Sequence, residues 1–175
     1  FLGKFEDGEH ILAICKDGTY YTTSFDLSNR YQGDLMKVEK LSTDKTYSVL
    51  YWDDEVKSFY IKRFSFEVSD NNVQSFIGEA KGSYLVAISE DKYPQLELIF
   101  GGKHIGRVPE IIDVEQFIGK KGIKAKGKKV TYFETSEIRF IEPLVKEEEE
   151  KPAEDESEIE LNLEENSIET NIIAD

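Results

Sequence analysis

Strand-like segments recur at nearly constant intervals along this chain, and that periodicity limits its possible folds. The segments begin at His10, Tyr47, Tyr84 and Ile123, so the intervals are 37, 37 and 39 residues. Each is rich in β-branched and aromatic residues and is followed by turn residues and a second such segment. Fixed intervals of this length are typical of propellers and other repeat arrays. The alternative is one β-sandwich or barrel whose strand spacing is regular by chance.

Each repeat is predicted to contain a β-hairpin. The clearest turn is Asp17-Gly18, because an Asp-Gly pair between two strand-like segments favours a tight hairpin turn. The predicted strand pairs are residues 10–15 with 19–25, 47–52 with 58–66, 84–88 with 95–100, and the segment from 123 with 130–133. The sequence therefore predicts an all-β fold.

The acidic charge of the chain is concentrated at its end. The 175 residues include 22 basic and 36 acidic ones, a net charge of −14. Residues 147–175 contain 13 acids and one base, hence −12, and residues 1–146 contain 23 acids and 21 bases, hence −2. We therefore predict a nearly neutral folded domain at 1–146 and an acidic tail at 147–175. The global charge is then no argument against nucleic acid as a partner.

Two interpretations of the acidic tail remain open. Its charge and lack of aromatic residues predict a solvated, disordered segment. The alternation of Ile159, Leu161 and Leu163 also fits a short strand added to a sheet edge. In either case a segment of this charge could compete with phosphate for a basic surface.

Few residues suggest catalysis or metal binding. The two histidines, His10 and His104, lie in different repeats, and no recognised catalytic or phosphate-binding motif occurs. The single cysteine, Cys15, excludes a disulfide framework and a cysteine-based zinc site, and its apolar neighbours predict a buried position. The sequence therefore predicts no catalytic residue and no metal site.

The sequence also suggests a cellular location. All apolar segments are shorter than the roughly 20 residues that a transmembrane helix needs. The chain begins at Phe1 without a basic-then-apolar leader. We expect a piece of a cytoplasmic protein with no membrane partner.

Six lysines between Gly119 and Val130, with no acid among them, are the strongest indication of a binding surface. They are Lys120, Lys121, Lys124, Lys126, Lys128 and Lys129. In an extended segment alternate side chains share a face, which predicts a ladder of Lys124, Lys126 and Lys128 at ~7 Å intervals. Such a ladder would match phosphates along a nucleic-acid strand. The alternative is an edge strand that lysines protect from aggregation.

Two other basic clusters are candidates. Apolar residues change phase at Lys62-Arg63, which predicts a bulge that presents one or both side chains outward. Lys103, His104 and Arg107 share a glycine-containing loop, for which a plain surface loop is the alternative. The aromatic residues Trp52, Tyr20, Tyr21 and Tyr51 are expected in the core rather than in a stacking platform for single strands.

Several segments in this order resemble the C-terminal domain of the DNA-cleaving subunit of bacterial type IIA topoisomerases. The resemblance is closest to that subunit of topoisomerase IV, which is sometimes labelled as the corresponding subunit of DNA gyrase, and covers about residues 1–143. The acidic tail lies outside it. The matching segments are Gly18–Asn29 (GTYYTTSFDLSN), Tyr60–Phe64 (YIKRF), Phe76–Glu79 (FIGE), Tyr93–Glu97 (YPQLE) and Phe117–Lys128 (FIGKKGIKAKGK).

The resemblance implies a β-pinwheel, a disc of four-stranded blades whose basic rim binds and bends duplex DNA, with about three blades in this chain. It also implies that the catalytic tyrosine, the Mg²⁺ site and the ATPase lie outside the chain. The partners would be duplex DNA, the rest of the DNA-cleaving subunit, and the separate ATP-hydrolysing subunit, in the nucleoid. The glutamine-arginine-glycine box of gyrases is absent, which favours a decatenating parent enzyme.

The predicted function is thus a non-catalytic module that holds and orients DNA. The alternatives are a protein-interaction propeller or sandwich with an acidic regulatory tail, and a β-domain that binds carbohydrate or another ligand. The predicted DNA-binding residues are Lys62, Arg63, Lys103, Arg107, Lys120, Lys121, Lys124, Lys126, Lys128 and Lys129.

Overall fold

The structure is a computed structural model, which describes residues 2–24, 33–69 and 72–146. The chain divides into two compact units, residues 1–144 and 145–175. The predicted acidic tail, with its alternating Ile159, Leu161 and Leu163, lies outside the described residues. Its boundary and its conformation therefore remain predictions.

Short strands account for nearly all the regular structure of the first unit, which confirms the all-β prediction. One 3₁₀ turn (Gly102–His104) and one short helix, α1 (Val114–Phe117), are the described exceptions. No helix of the described residues is long and apolar enough to cross a membrane. The strands are β1 (His10–Cys15), β2 (Thr19–Ser24), β3 (Leu35–Lys40), β4 (Tyr47–Asp53), β5 (Ser58–Phe64), β6 (Gln74–Ser75), β7 (Tyr84–Ser89), β8 (Gln95–Phe100), β9 (Glu110–Asp113), β10 (Lys128–Lys129) and β11 (Thr135–Ile141).

The strands form three antiparallel sheets with a common plan. The orders are β3-β1-β2-β6 in the first sheet, β10-β5-β4-β7 in the middle sheet and β11-β8-β9 in the third. Each sheet contains one hairpin, and a later strand pairs with the first strand of that hairpin. The short strands β6 and β10 come from later in the chain and extend the first and middle sheets at the hairpin's second strand.

The third and fourth predicted hairpins are wrong. Strands form at 84–89 and 95–100, but β7 pairs with β4 whereas β8 pairs with β9 and β11. The two strands separate because their fully buried apolar side chains belong to different cores: Leu85 packs in the core between the first and middle sheets, whereas Leu96 and Leu98 pack in the core between the middle and third sheets. The fourth segment turns at Gly122–Ala125, where the Ala125 N–H donates to the Gly122 carbonyl at 3.0 Å.

The true hairpins therefore begin at His10, Tyr47 and Gln95, which changes the intervals to 37 and 48 residues. Tyr84 does follow Tyr47 by 37 residues, but it begins the outer strand of the middle sheet rather than a new hairpin. Strand positions follow from local sequence, whereas strand partners depend on which apolar faces meet.

The middle sheet is covered on both faces. One core joins it to the first sheet and includes Leu12, Ile14 and Tyr20 of the first sheet with Tyr47, Val49, Tyr51 and Phe64 of the middle one. The other core joins it to the third sheet and includes Leu50 and Ile61 with Leu96, Leu98, Phe100 and Ile138. Tyr20 and Tyr51 are buried, as predicted for core residues, and so is Cys15, whereas Tyr21 and Trp52 are only half-buried.

No bulge interrupts β5 at Lys62-Arg63, so that prediction is wrong. The β4–β5 register is continuous from the Tyr47–Phe64 pair to the Asp53–Ser58 pair. Apolar residues occupy both phases of β5 because each phase faces a different core, with Tyr60 on one side and Ile61 on the other. A strand that is buried on both faces loses the polar–apolar alternation of a half-exposed strand.

Candidate nucleic-acid interface

The six predicted lysines lie on one segment that follows the edge of β5. We call residues 120–129 the lysine segment. It begins beside Arg63, where the Lys121 N–H donates to the Arg63 carbonyl at 2.9 Å. It leaves the edge through the turn at 122–125 and returns as β10, where Lys128 pairs with Ile61 and Lys129 with Tyr60. Both ends of the segment are thus fixed to the middle sheet, and the part between them projects.

The ammonium groups of this segment face solvent. Lys120, Lys121, Lys124, Lys126 and Lys128 are exposed and Lys129 is half-buried. Ile123 is buried. Its burial agrees with the alternation of inward and outward side chains that the sequence predicted for residues 123–128. The extended ladder itself is wrong, because the turn at 122–125 replaces a regular strand over the first half.

The lysine segment differs from other lysines of the domain in its ion pairing. In the described part of the chain no carboxylate forms a salt bridge with any of its six side chains, and several lysines elsewhere are paired. For example, Lys37 lies 2.8 Å and Lys45 2.7 Å from the Glu90 carboxylate. A group of like charges without counter-charges produces a local positive potential, which attracts anions.

Aromatic rings lie beneath three of these lysines. The distances from ammonium nitrogen to ring centroid are 5.3 Å for Lys126 on Tyr60, 3.9 Å for Lys128 on Phe117 and 4.4 Å for Lys129 on Tyr132. The Lys128 ammonium also donates to the Phe117 carbonyl at 3.1 Å. Cation–π contacts of this kind stabilise a side-chain position by about 0.5–1 kcal/mol at exposed sites. They hold positive charge in place without neutralising it.

Gly127 permits the segment to return to β5. A Cβ at this position would lie 2.7 Å from the Ile61 carbonyl oxygen and 2.8 Å from Tyr51 Oη. The Gly127 N–H donates to that same hydroxyl at 3.1 Å. Burial raises the pKa of Tyr51 to about 12, so the phenol stays protonated at neutral pH. Gly127 therefore serves packing, whereas Gly119 and Gly122 have open space around them.

Lys62, predicted to point outward, is instead a buried anchor of the lysine segment. Only 5% of the residue is exposed, and its ammonium donates to the carbonyls of Phe76 at 2.6 Å and Ile123 at 2.5 Å. Burial lowers its pKa to about 8, so it remains largely protonated at pH 7. Its position in the core excludes direct phosphate contact in this conformation. The sequence contains a sign of this role, since Lys62 has the same strand phase as the core residues Tyr60 and Phe64.

Replacing Lys62 with Met tests the anchoring role. Methionine fills the apolar space but leaves two buried carbonyls without a donor, so we expect a loss of about 1–3 kcal/mol in the free energy of unfolding. We also expect faster amide exchange at residues 122–126. Urea unfolding and hydrogen exchange measure the two effects. Unchanged exchange at these amides in Lys62→Met would show that Lys62 does not hold the segment.

The remaining predicted residues lie at the two ends of the segment. Arg63, beside Lys120, is half-buried and its Nε donates to Ser48 Oγ at 3.3 Å. At the other end, the Arg107 guanidinium lies 3.6 Å from the centroid of the Phe133 ring. Lys103 is exposed, and its backbone N–H donates to the Glu134 carboxylate at 2.8 Å. The structure therefore brings the 103–107 loop against residues that follow β10.

A cleft of about 560 Å³ lies between the lysine segment and residues 74–79. Lys124 and Lys126 contribute to its lining, but so do the carboxylates of Asp53, Glu55 and Glu79. These acids disfavour an anion inside the cleft. The outer side of the segment, away from these acids, is therefore the more favourable side for an anion.

The comparison with known families gives one match. The family described as Topoisomerase C-terminal domain, Bacteroidota, matches residues 1–142. No curated protein and no solved structure matches the chain. The matched residues include the whole lysine segment and all three sheets.

Proposed function

Because the chain belongs to the topoisomerase C-terminal domain family of the Bacteroidota, we propose that it binds and bends duplex DNA for its parent enzyme. The observation that carries this proposal is the exposed, acid-free lysine segment held against the middle sheet at both ends. A fixed array of ammonium groups suits the regularly spaced phosphates of DNA, and bending would let a duplex contact more of these groups.

The three sheets are proposed to be blades of a β-pinwheel. They share one plan of a hairpin plus a returning strand on the hairpin's first strand. The middle sheet receives its fourth strand, β10, from the segment that carries the lysines. DNA bound to these lysines would then lie directly against that blade.

The proposed parent is the DNA-cleaving subunit of a type IIA topoisomerase, closest to topoisomerase IV or DNA gyrase. The chain would act without catalytic residues or cofactors of its own, since the parent's Mg²⁺ and ATP would be bound elsewhere. Its partners would be duplex DNA, the rest of the DNA-cleaving subunit, and the separate ATP-hydrolysing subunit. The location that suits this role is the nucleoid in the cytoplasm.

Fluorescence anisotropy with a labelled duplex over a salt series tests the binding proposal. Contacts to phosphate release counterions, so log affinity should fall linearly with log salt, with a slope of about −0.9 for each phosphate contacted. Duplexes of different sequence should bind within a few-fold of one another, because phosphates carry no sequence information. Absence of binding at low salt by the folded chain would overturn the proposal. End-to-end energy transfer in a doubly labelled duplex tests the bend.

A protein-binding role is the second candidate, because three large aliphatic side chains are exposed between the 3₁₀ turn and β9. Ile105 and Val108 of the loop are 78% and 84% exposed, and Ile111 of β9 is 56% exposed. Exposed apolar residues so close in the sequence suit a protein partner better than DNA. The test is binding of the chain to the purified remainder of the parent enzyme. Loss of that binding in Val108→Asp, with duplex affinity unchanged, would support a protein-binding role in addition to DNA binding.

A further inference from the structure

An aromatic cleft of about 260 Å³ lies at the β10 end of the lysine segment. Trp52 and Phe59 oppose each other across the β4–β5 pair, with ring centroids 4.8 Å apart. Tyr132 and Phe133 follow β10 and line the same cleft. Tyr132 is 85% exposed, whereas Phe133 is 38% exposed and also packs edge-on against the buried Phe100, with a ring-centroid distance of 5.9 Å. We call these four residues the aromatic cleft.

Positive groups surround the aromatic cleft. Lys57 and Lys129 line it; the Lys57 ammonium is paired with the Asp54 carboxylate at 2.6 Å, and the Lys129 ammonium lies 4.4 Å from the centroid of the Tyr132 ring. The Arg107 guanidinium lies on the Phe133 ring at 3.6 Å. Glu134 is the carboxylate in the lining, and it accepts the backbone N–H of Lys103. A ligand with a flat ring and a nearby negative charge would match this combination.

The size of the cleft limits that ligand. A volume of about 260 Å³ is smaller than the ~300–1,000 Å³ of pockets for drug-sized molecules, so the cleft accepts one ring system and excludes a duplex. Nucleobases stack on aromatic side chains whatever their identity, and adjacent cations bind the flanking phosphates. Lys129 belongs to both the lysine segment and the cleft, so one DNA strand can reach both.

We propose that the aromatic cleft holds one unpaired nucleobase of a DNA strand whose phosphates lie on the lysine segment. The inference rests on the proposed DNA-binding function and adds a preference for unstacked bases to it. Unpaired or unstacked bases arise where a duplex is sharply bent or has a single-stranded end. The cleft would thereby favour DNA that is already distorted.

Trp52 provides a built-in probe, because it is the only tryptophan of the chain. We expect an oligothymidylate to quench Trp52 fluorescence at low salt. An abasic strand with the same number of phosphates should bind more weakly and quench less. Tyr132→Ala should reduce the affinity for oligothymidylate about tenfold, since a lost base–aromatic stack has roughly that effect. Tyr132→Phe should retain the wild-type affinity.

Two controls separate this site from general DNA binding. The first control is Tyr93→Ala. The Tyr93 ring also has a lysine above it, with the Lys92 ammonium 5.5 Å from the ring centroid, but it does not line the cleft. Its removal should leave the affinity for oligothymidylate unchanged. A fully paired, blunt duplex should bind Tyr132→Ala within about twofold of the wild type. Circular dichroism checks that each variant is folded.

The outcomes distinguish the inference from the function on which it rests. If the abasic strand binds as tightly as oligothymidylate, or if Tyr132→Ala binds oligothymidylate with unchanged affinity, the base-binding site is wrong. Neither result would contradict duplex binding. Binding of oligothymidylate without any binding of duplex would overturn the duplex function and keep the cleft. Quenching of Trp52 by an apolar peptide and not by oligothymidylate would identify the cleft as a protein-docking site and also overturn the inference.

Discussion

Replacing Lys121, Lys124 and Lys126 together with glutamine is expected to weaken duplex binding about 10²- to 10³-fold at ~0.1 M salt. The three side chains are exposed and have no salt-bridge partner among the described residues. Each ammonium group that contacts one phosphate contributes about 0.9 to the slope of log affinity against log salt. The slope should therefore decrease in magnitude by about 2.7.

The structure explains why these three lysines are the informative set. Lys128 donates to the Phe117 carbonyl and Lys129 belongs to the paired strand β10, so changing either would also disturb packing. Glutamine keeps a polar side chain but removes the charge, and with it the contact of Lys126 with the Tyr60 ring.

A matched control has the same change in net charge at other exposed positions. Lys4, Lys81 and Lys92 are exposed and lie outside the lysine segment. Their joint replacement with glutamine should leave the salt slope almost unchanged. An equal loss of affinity in both triple variants would show that net charge, and not the position of the lysine segment, determines binding.

Phe66→Ala is expected to cost about 3–5 kcal/mol in the free energy of unfolding. Phe66 is fully buried, and its ring centroid lies 4.9 Å from Tyr20 and from Tyr47, 4.8 Å from Phe64 and 5.3 Å from Phe76. These rings come from the first sheet, the middle sheet and the segment after β6, so one side chain joins three parts of the fold. Domains of this size are stable by only about 5–15 kcal/mol, so the variant should lose a large fraction of its stability.

Urea unfolding, followed by circular dichroism and by Trp52 fluorescence, measures this loss. Val108→Ala serves as the control, because Val108 is 84% exposed and should change stability by less than about 0.5 kcal/mol. A loss below about 1 kcal/mol in Phe66→Ala would mean that the aromatic cluster does not hold the sheets together.

Local sequence was sufficient to place many of the strands. The Asp17-Gly18 turn and the second hairpin were both predicted, and the structure pairs β1 with β2 and β4 with β5. The outer strands β3 and β11 were missed, although Thr135–Ile141 is rich in β-branched and aromatic residues. They are edge strands with few fully buried side chains, so the hydrophobic pattern there is weak.

The sequence by itself determined the all-β class and the acid-free run of lysines, because both depend on residue type and local spacing. Only the tertiary structure decided how that run is used. It separated β7 from β8, made β10 a strand of the middle sheet, and buried Lys62, predicted as a separate outward-facing basic site, beneath the lysine segment. The physical reason is that strand partners and side-chain burial depend on how apolar faces from distant parts of the chain meet. Two residues as similar as Lys62 and Lys124 therefore become an internal anchor and a surface charge.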